Sequence, residues 1–97
     1  MNRRDFEIEI CANSVESCLE AQKGGADRVE LCMGIPEGGT TPSYGEIKMS
    51  RQVLNETRLH VIIRNRAGDF LYTQQELQRM AMDIDLCREL GVDGVVF

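Results

Sequence analysis

One helix-to-strand junction occurs twice in this chain, and it constrains the fold more than any other feature of the sequence. Gly24-Gly-Ala-Asp-Arg-Val and Gly91-Val-Asp-Gly-Val-Val each combine glycine, aspartate and a following apolar segment. Glycine just past the last turn ends a helix, and the apolar residues after the aspartate begin a strand. We therefore predict two equivalent units in which a helix leads directly into a buried strand.

Apolar segments and helix signals alternate along the rest of the chain. Strands are predicted over residues 6–12, 28–32, 59–63 and 93–97. Helices are predicted in each interval and begin at Ser14, Ser43 and Thr73, where Glu76 completes a capping box with Thr73. The apolar residues of the third helix recur at helical spacing and are predicted to face the core: Leu77, Met80, Ala81, Ile84, Cys87 and Leu90.

The predicted order is β-α-β-α-β-α-β, which indicates an α/β fold with right-handed crossovers and parallel strands. The regular repetition of the junction favours a TIM-type (β/α)8 barrel over an open sheet. A full barrel needs roughly 250 residues, and the 97 residues of this chain supply about its first half. We interpret residues 1–97 as a single domain, the N-terminal half of a barrel truncated in its fourth strand.

Acidic and sulfur-bearing residues recur at the ends of the first two predicted strands, as Glu9-Ile-Cys and Glu30-Leu-Cys. Because side chains alternate along a strand, Glu9 shares a face with Cys11, and Glu30 shares a face with Cys32. The branched apolar residues of the opposite face must meet the helices, so the polar face is predicted to line the barrel. Arg64, after the third strand, is predicted to join it. Neighbouring strands lie about 4.8 Å apart, so these side chains are expected to interact.

The residues alone leave two interpretations of this polar face open. Cys11 and Cys32 form either a soft two-thiolate site for Cu(I) or a pair of buried thiols, since free cysteine is often buried. The carboxylates and Arg64 form either a ligand pocket, in which Arg64 holds an anion, or an ion network that closes the barrel. Arg66 and Asp69 lie in the loop after the third strand, where they either contribute to the pocket or are solvated loop charges.

Composition and charge argue against several classes of function. The net charge of −5 argues against nucleic-acid binding, which depends on clustered basic residues. No apolar segment is long enough to span a bilayer, and no apolar stretch follows the basic N-terminal segment as in a secretory signal. We therefore expect a cytoplasmic protein with free thiols. The glycine-rich segment 37–41 lacks the lysine of a P-loop, so no nucleotide or organic cofactor is predicted.

Four longer segments carry a more specific signal: Glu9-Ile-Cys-Ala-Asn-Ser-Val-Glu-Ser, Gly24-Gly-Ala-Asp-Arg-Val-Glu-Leu-Cys, Glu37-Gly-Gly-Thr-Thr-Pro-Ser and His60-Val-Ile-Ile-Arg-Asn-Arg-Ala-Gly-Asp-Phe. With them, nearly the whole chain resembles the N-terminal half of the CutC copper homeostasis proteins. The resemblance implies a TIM-type barrel, a cytoplasmic location and a role in copper handling. It also places Cys11 and Cys32 at the two proposed copper-ligating positions of that family.

The leading hypothesis is a copper homeostasis protein that binds copper, as Cu(I), through Cys11 and Cys32 at the C-terminal rim of the barrel. The alternative is a TIM-barrel enzyme for a small anionic metabolite, with Glu9 or Glu30 as acid–base group and two arginines as an anion clamp. Those arginines are Arg64 and Arg66. No reaction can be assigned from the residues, so metal binding is favoured. The free edges of a half-barrel sheet predict a homo-oligomer, or completion by further chain.

Overall fold

The computed structural model describes residues 6–97 and, within them, four strands and three helices. The strands are β1 (Glu9–Ala12), β2 (Arg28–Leu31), β3 (Arg58–Ile62) and β4 (Gly94–Val96). The helices are α1 (Val15–Lys23), α2 (Tyr44–Val53) and α3 (Gln74–Glu89), and a 3₁₀ turn covers Ile35–Glu37 between β2 and α2. The strands form one sheet in the order β1-β2-β3-β4, and each neighbouring pair is parallel. The predicted alternation and the parallel sheet are confirmed.

The strand boundaries differ from the predicted ones by one to three residues. β1 begins later than predicted because its ladder with β2 starts at the pair Glu9 and Arg28. The last strand covers only Gly94–Val96, because it pairs with β3 alone. The prediction that the N-terminal segment is not a secretory signal concerns residues 1–5, which lie outside the described residues.

Each helix begins where a hydroxyl side chain caps its first turn. Ser14 Oγ accepts a hydrogen bond from the backbone N–H of Ser17 at 3.0 Å, and Ser43 Oγ accepts one from Glu46 at 3.2 Å. Thr73 and Glu76 form the predicted capping box, in which each side chain accepts the other residue's backbone N–H. These caps satisfy donors that a helix N-terminus leaves unpaired.

The two aspartates of the repeated junction perform the same structural task. Asp27 Oδ2 accepts the backbone N–H of Ile8 at 2.8 Å, and Asp93 Oδ2 accepts that of Leu59 at 2.8 Å. Their own N–H groups donate to the carbonyl oxygens of the same two residues at 2.9 Å. Each aspartate therefore fixes the start of its strand onto the strand before it, which explains why the sequence repeats there.

The hydrophobic core lies between the helices and one face of the sheet, as predicted. Val29, Leu31, Leu59 and Val61 point to this face and are fully buried, against helix residues that include Ile47. The opposite face of the sheet carries the polar residues. The chain therefore has the two faces of a barrel wall, one covered by helices and one lined by the candidate site.

Two parts of the predicted core are wrong. Leu77 is 47% exposed and Ala81 is also exposed, because α3 packs on β4 at the edge of the sheet and its outer flank meets solvent. Ile8 and Ile10 belong to the apolar side of the first predicted strand and face α1 as expected, but they are 37% and 41% exposed because they lie at the opposite edge of the sheet, in a groove between β1 and α1. Periodicity identified the faces of these elements, and their positions at the two edges of the sheet determine how much of each face is covered.

Candidate metal centre

Parallel pairing places one residue from each of the four strands in a row across the sheet, and the first three carry side chains on its polar face. Cys11 pairs with Glu30, Glu30 pairs with His60, and His60 pairs with Gly94. Cys32 follows β2 on the same face as Glu30, two residues further on. The sheet itself therefore brings Cys11, Glu30 and Cys32 together near the C-terminal ends of β1 and β2.

The two thiols and one carboxylate form a compact cluster. Cys11 Sγ and Cys32 Sγ are 3.5 Å apart. These sulfurs and a carboxylate oxygen of Glu30 all lie within 4.8 Å of one another. Cys32 is buried, Glu30 is half-buried and Cys11 is exposed, so the cluster opens on the side of Cys11. All four cysteines of the chain are free thiols.

The surroundings of the cluster favour the uncharged forms of Cys32 and Glu30. Burial, together with the Cys11 thiol and the Glu30 carboxylate, raises the pKa of the Cys32 thiol to about 12. Burial and the nearby Glu9 raise the pKa of Glu30 above its ordinary value. A bound cation reverses this preference, because it attracts the ionised forms of all three groups.

Glu9 lies at the base of the cluster, toward the N-terminal ends of the strands. Its carboxylate contacts that of Glu30 and forms an ion pair with Arg28. Glu7 continues this charged ladder by pairing with Arg28 and Arg58. The Glu9 carboxylate therefore contacts both the cluster, through Glu30, and a network of ion pairs, through Arg28.

Arg64 has different partners from the two glutamates. It is buried, and its guanidinium donates to the carbonyl oxygens of Glu37, Gly39 and Gly68, each at 2.9 Å. Instead of closing an ion network with the carboxylates, Arg64 ties the loop after β2 to the loop after β3.

Arg66 and Asp69 contact each other and the start of α3. Arg66 forms an ion pair with Glu76 and donates to the Asp69 carboxylate at 3.3 Å. Arg66 Nη1 also donates to the carbonyl oxygen of Asp69 at 2.8 Å, and the guanidinium stacks on Tyr72 at 5.2 Å. These contacts hold the loop after β3 against the capped end of α3, and none of them reaches the cysteines.

Two glycines and a histidine were not predicted as site residues. A Cβ atom on Gly94 would lie 2.8 Å from the His60 ring, so the imidazole lies directly over this glycine. A Cβ atom on Gly39 would lie 3.5 Å from Cys32 Cβ and 3.2 Å from Ile62 Cδ1, and Gly39 has a φ of +95°. An isolated glycine in a strand, as at Gly94, indicates a close approach by another group, and this signal was available in the sequence.

Within residues 6–97, none of the helices has the length and apolar character that a bilayer-spanning helix requires.

Comparison with known proteins identifies the family. The sequence model of the CutC family matches residues 6–97. A family protein CutC from Bacteroides thetaiotaomicron is 67% identical over 97% of this chain and 38% of its own length. The copper homeostasis protein cutC homolog of Homo sapiens is 49% identical over 95% of this chain and 33% of its own length. This chain thus spans well under half the length of these curated relatives.

A solved structure shows the same fold. The crystal structure of CutC from Streptococcus agalactiae superimposes with a TM-score of 0.88 at 39% sequence identity. The match covers 95% of this chain and 45% of that one, and it confirms the α/β architecture as half of a TIM-type barrel. This chain belongs to the CutC family.

Proposed function

We propose that this chain binds copper as Cu(I) through Cys11 and Cys32, with Glu30 as a third ligand, and serves copper homeostasis in the cytoplasm. The observation that carries the proposal is the pair of free thiols 3.5 Å apart beside the Glu30 carboxylate. Thiolates are soft ligands and favour Cu(I) over hard cations. Relatives that carry the name copper homeostasis protein support the same assignment.

The spacing of the two sulfurs suits one shared ion. At a metal–sulfur distance of about 2.3 Å, two ligands lie roughly 3.75 Å apart in tetrahedral geometry and roughly 4.0 Å apart in trigonal geometry. The observed 3.5 Å is shorter by a few tenths of an ångström. Cys11 is exposed, so its side chain has room to supply this movement, whereas Cys32 is buried and fixed.

The alternative enzymatic function has one observation in its favour. Glu30 has a raised pKa and contacts Glu9, as expected of an acid–base pair in an active site. The anion clamp that this function needs is not assembled, because Arg66 is engaged by Glu76 and by loop carbonyl oxygens. Cys11, Cys32 and Glu30, which metal binding requires, already lie in contact, and we therefore prefer metal binding.

A Cu(I) titration with a competing chelator, under anaerobic and reducing conditions, tests the proposal. We expect Cys11→Ser and Cys32→Ser each to weaken binding, and the double variant to lose it. Glu30→Gln is expected to weaken binding less, because it removes a harder third ligand. Cys87→Ala is the matched control, since it removes a buried thiol from the core and leaves the cluster intact. Parent-like affinity in the folded double variant would show that the ligand assignment is wrong.

A further inference from the structure

Arg64 is the only arginine among the described residues that is buried, and its hydrogen bonds are incomplete. Its residue exposure is 8%. A guanidinium has five N–H donors. Two donors on Nη1 and one on Nη2 bind the three loop carbonyl oxygens. The Nε–H is buried and has no hydrogen-bond partner among residues 6–97. Two donors of a fixed cationic group are therefore left, Nε–H and one on Nη2.

The charge of Arg64 is also uncompensated within the described residues. Five other arginines form ion pairs with carboxylates: Arg28, Arg51, Arg58, Arg66 and Arg88. Arg64 contacts neutral carbonyl oxygens and the ring of Phe70, which lies 5.4 Å from its guanidinium carbon. A buried charge without a counter-charge is costly, so the surroundings of Arg64 favour an added anion.

A small pocket adjoins Arg64 at the end of the sheet where barrels bind their ligands. It has a volume of about 250 Å³, and its apolar walls are Ile62, Phe70 and Phe97. Arg64 follows β3 and Phe97 follows β4, so the pocket lies at the C-terminal ends of these strands. Phe70 is largely exposed, so movement of its ring uncovers the guanidinium without disturbing the core.

We propose that Arg64 binds the oxyanion of a small ligand, a carboxylate or a phosphate, whose remaining part lies against the apolar walls of this pocket. Arginine is suited to this task because its planar donors match the oxygens of such groups. The three carbonyl contacts hold the guanidinium in place before the ligand arrives. The proposal is independent of copper binding, because it uses neither cysteine nor Glu30.

An NMR titration of the metal-free protein tests this site. The Arg64 Nε–H resonance is followed while inorganic phosphate or acetate is added, with sodium chloride at matched ionic strength as the reference. We expect a saturable shift with one or both oxyanions and none with chloride; the anion that saturates first identifies the preferred chemistry. An equal shift with chloride, or no saturable shift with either oxyanion, would overturn the proposal.

Two variants with opposite expected effects separate ligand contact from structural damage. Arg64→Lys loses the planar set of N–H donors, so we expect it to bind the oxyanion at least about tenfold more weakly than the parent does. Glu37→Gln removes a negative charge from the pocket lining and keeps the carbonyl oxygen that holds Arg64, so it is expected to bind about twofold more tightly or better.

Arg88→Lys, on the exposed surface of α3, is the matched control and should bind like the parent. If Arg64→Lys does not fold, Glu37→Gln still decides, because unchanged or weaker binding in that variant would contradict an anion in this pocket.

Discussion

At the scale of single residues, the surroundings of the cluster favour the protonated forms of Cys32 and Glu30. The Cys32 thiol has a pKa of about 12, and the Glu30 carboxyl has a raised pKa beside it. A metal ion must therefore displace protons in order to bind. Under the proposed function, the two thiols release their protons when Cu(I) binds.

The first prediction concerns the pH dependence of copper binding. Because both thiols lose a proton on binding, we expect the Cu(I) affinity of the parent to rise by up to about a hundredfold per pH unit between pH 6 and pH 8. The Cys11→Ser variant retains one thiol, so its Cu(I) affinity is expected to rise by only about tenfold per pH unit. Chelator competition at each pH, corrected for the chelator's own protonation, measures both slopes. An affinity that does not change with pH would contradict thiol ligation.

The second prediction concerns the close contact between His60 and Gly94. Gly94→Ala places a methyl group where the His60 ring lies, and overpacking of this kind is expected to lower the free energy of unfolding by about 1–3 kcal/mol. His60→Ala removes the clash, so the double variant should recover most of that loss relative to His60→Ala alone. Urea denaturation of the four proteins gives the coupling energy. Simple additivity of the two changes would show that the ring does not depend on this glycine.

At the scale of secondary-structure elements, the aspartate of the repeated junction joins neighbouring strands and depends on its charge. Burial alone would raise the pKa of Asp93, but hydrogen bonds from Leu59 and Arg51 outweigh it and hold that pKa below its ordinary value. The ionised carboxylate therefore stabilises the contact between β3 and β4 at neutral pH.

The third prediction follows from the sign of this pKa shift. The stabilisation by Asp93 is fully present above the ordinary aspartate pKa of about 3.9. It is lost as the pH falls through the lower folded-state value. Asp93→Asn is expected to be less stable than the parent at pH 7, and this difference should shrink in acid. Denaturation midpoints at pH 7 and pH 3 measure it, with Asp85→Asn, on the exposed face of α3, as the control. A stability difference that stays constant with pH would contradict this role.

Local sequence signals predicted the elements and part of the site. The helix caps at Ser14 and Thr73 depend only on residues close in sequence. The shared face of Glu30 and Cys32 does so as well, and both features could therefore be predicted from the sequence. The partners of Arg64 and Arg66 were not predictable in the same way. They are backbone carbonyl oxygens and a helix cap, and the paths of two irregular loops decide which of them lie within reach.

At the scale of the whole molecule, both edges of the sheet remain unpaired within the described residues. β1 and β4 each pair on one side only, and the groove beside β1 contains the exposed Ile8 and Ile10. Exposed strand edges of this kind are templates for further pairing. Leu77 lies on the outer flank of α3, beside the edge strand β4, which explains why it is exposed although its periodicity predicted burial. Burial at a barrel wall is a property of the complete ring, which local periodicity cannot report.

The fourth prediction is that this chain self-associates in solution. Analytical ultracentrifugation over a range of concentrations should show species larger than the monomer. Ile10→Lys, which places a charge at the β1 edge, is expected to reduce association. Met49→Lys, on the exposed face of α2, is the matched control and should associate like the parent. A parent protein that stays monomeric at high concentration would contradict the prediction.

Gly39 lies between the two proposed ligand sites, with its carbonyl oxygen on the Arg64 guanidinium and its Cα beside the side chain of Cys32. We expect that a shift of this peptide on binding of one ligand would also move the group that contacts the other site. Occupancy of the proposed copper site and occupancy of the proposed oxyanion site would then be thermodynamically linked, and such linkage is reciprocal. We expect an oxyanion to change the copper affinity by the same factor by which copper changes the oxyanion affinity.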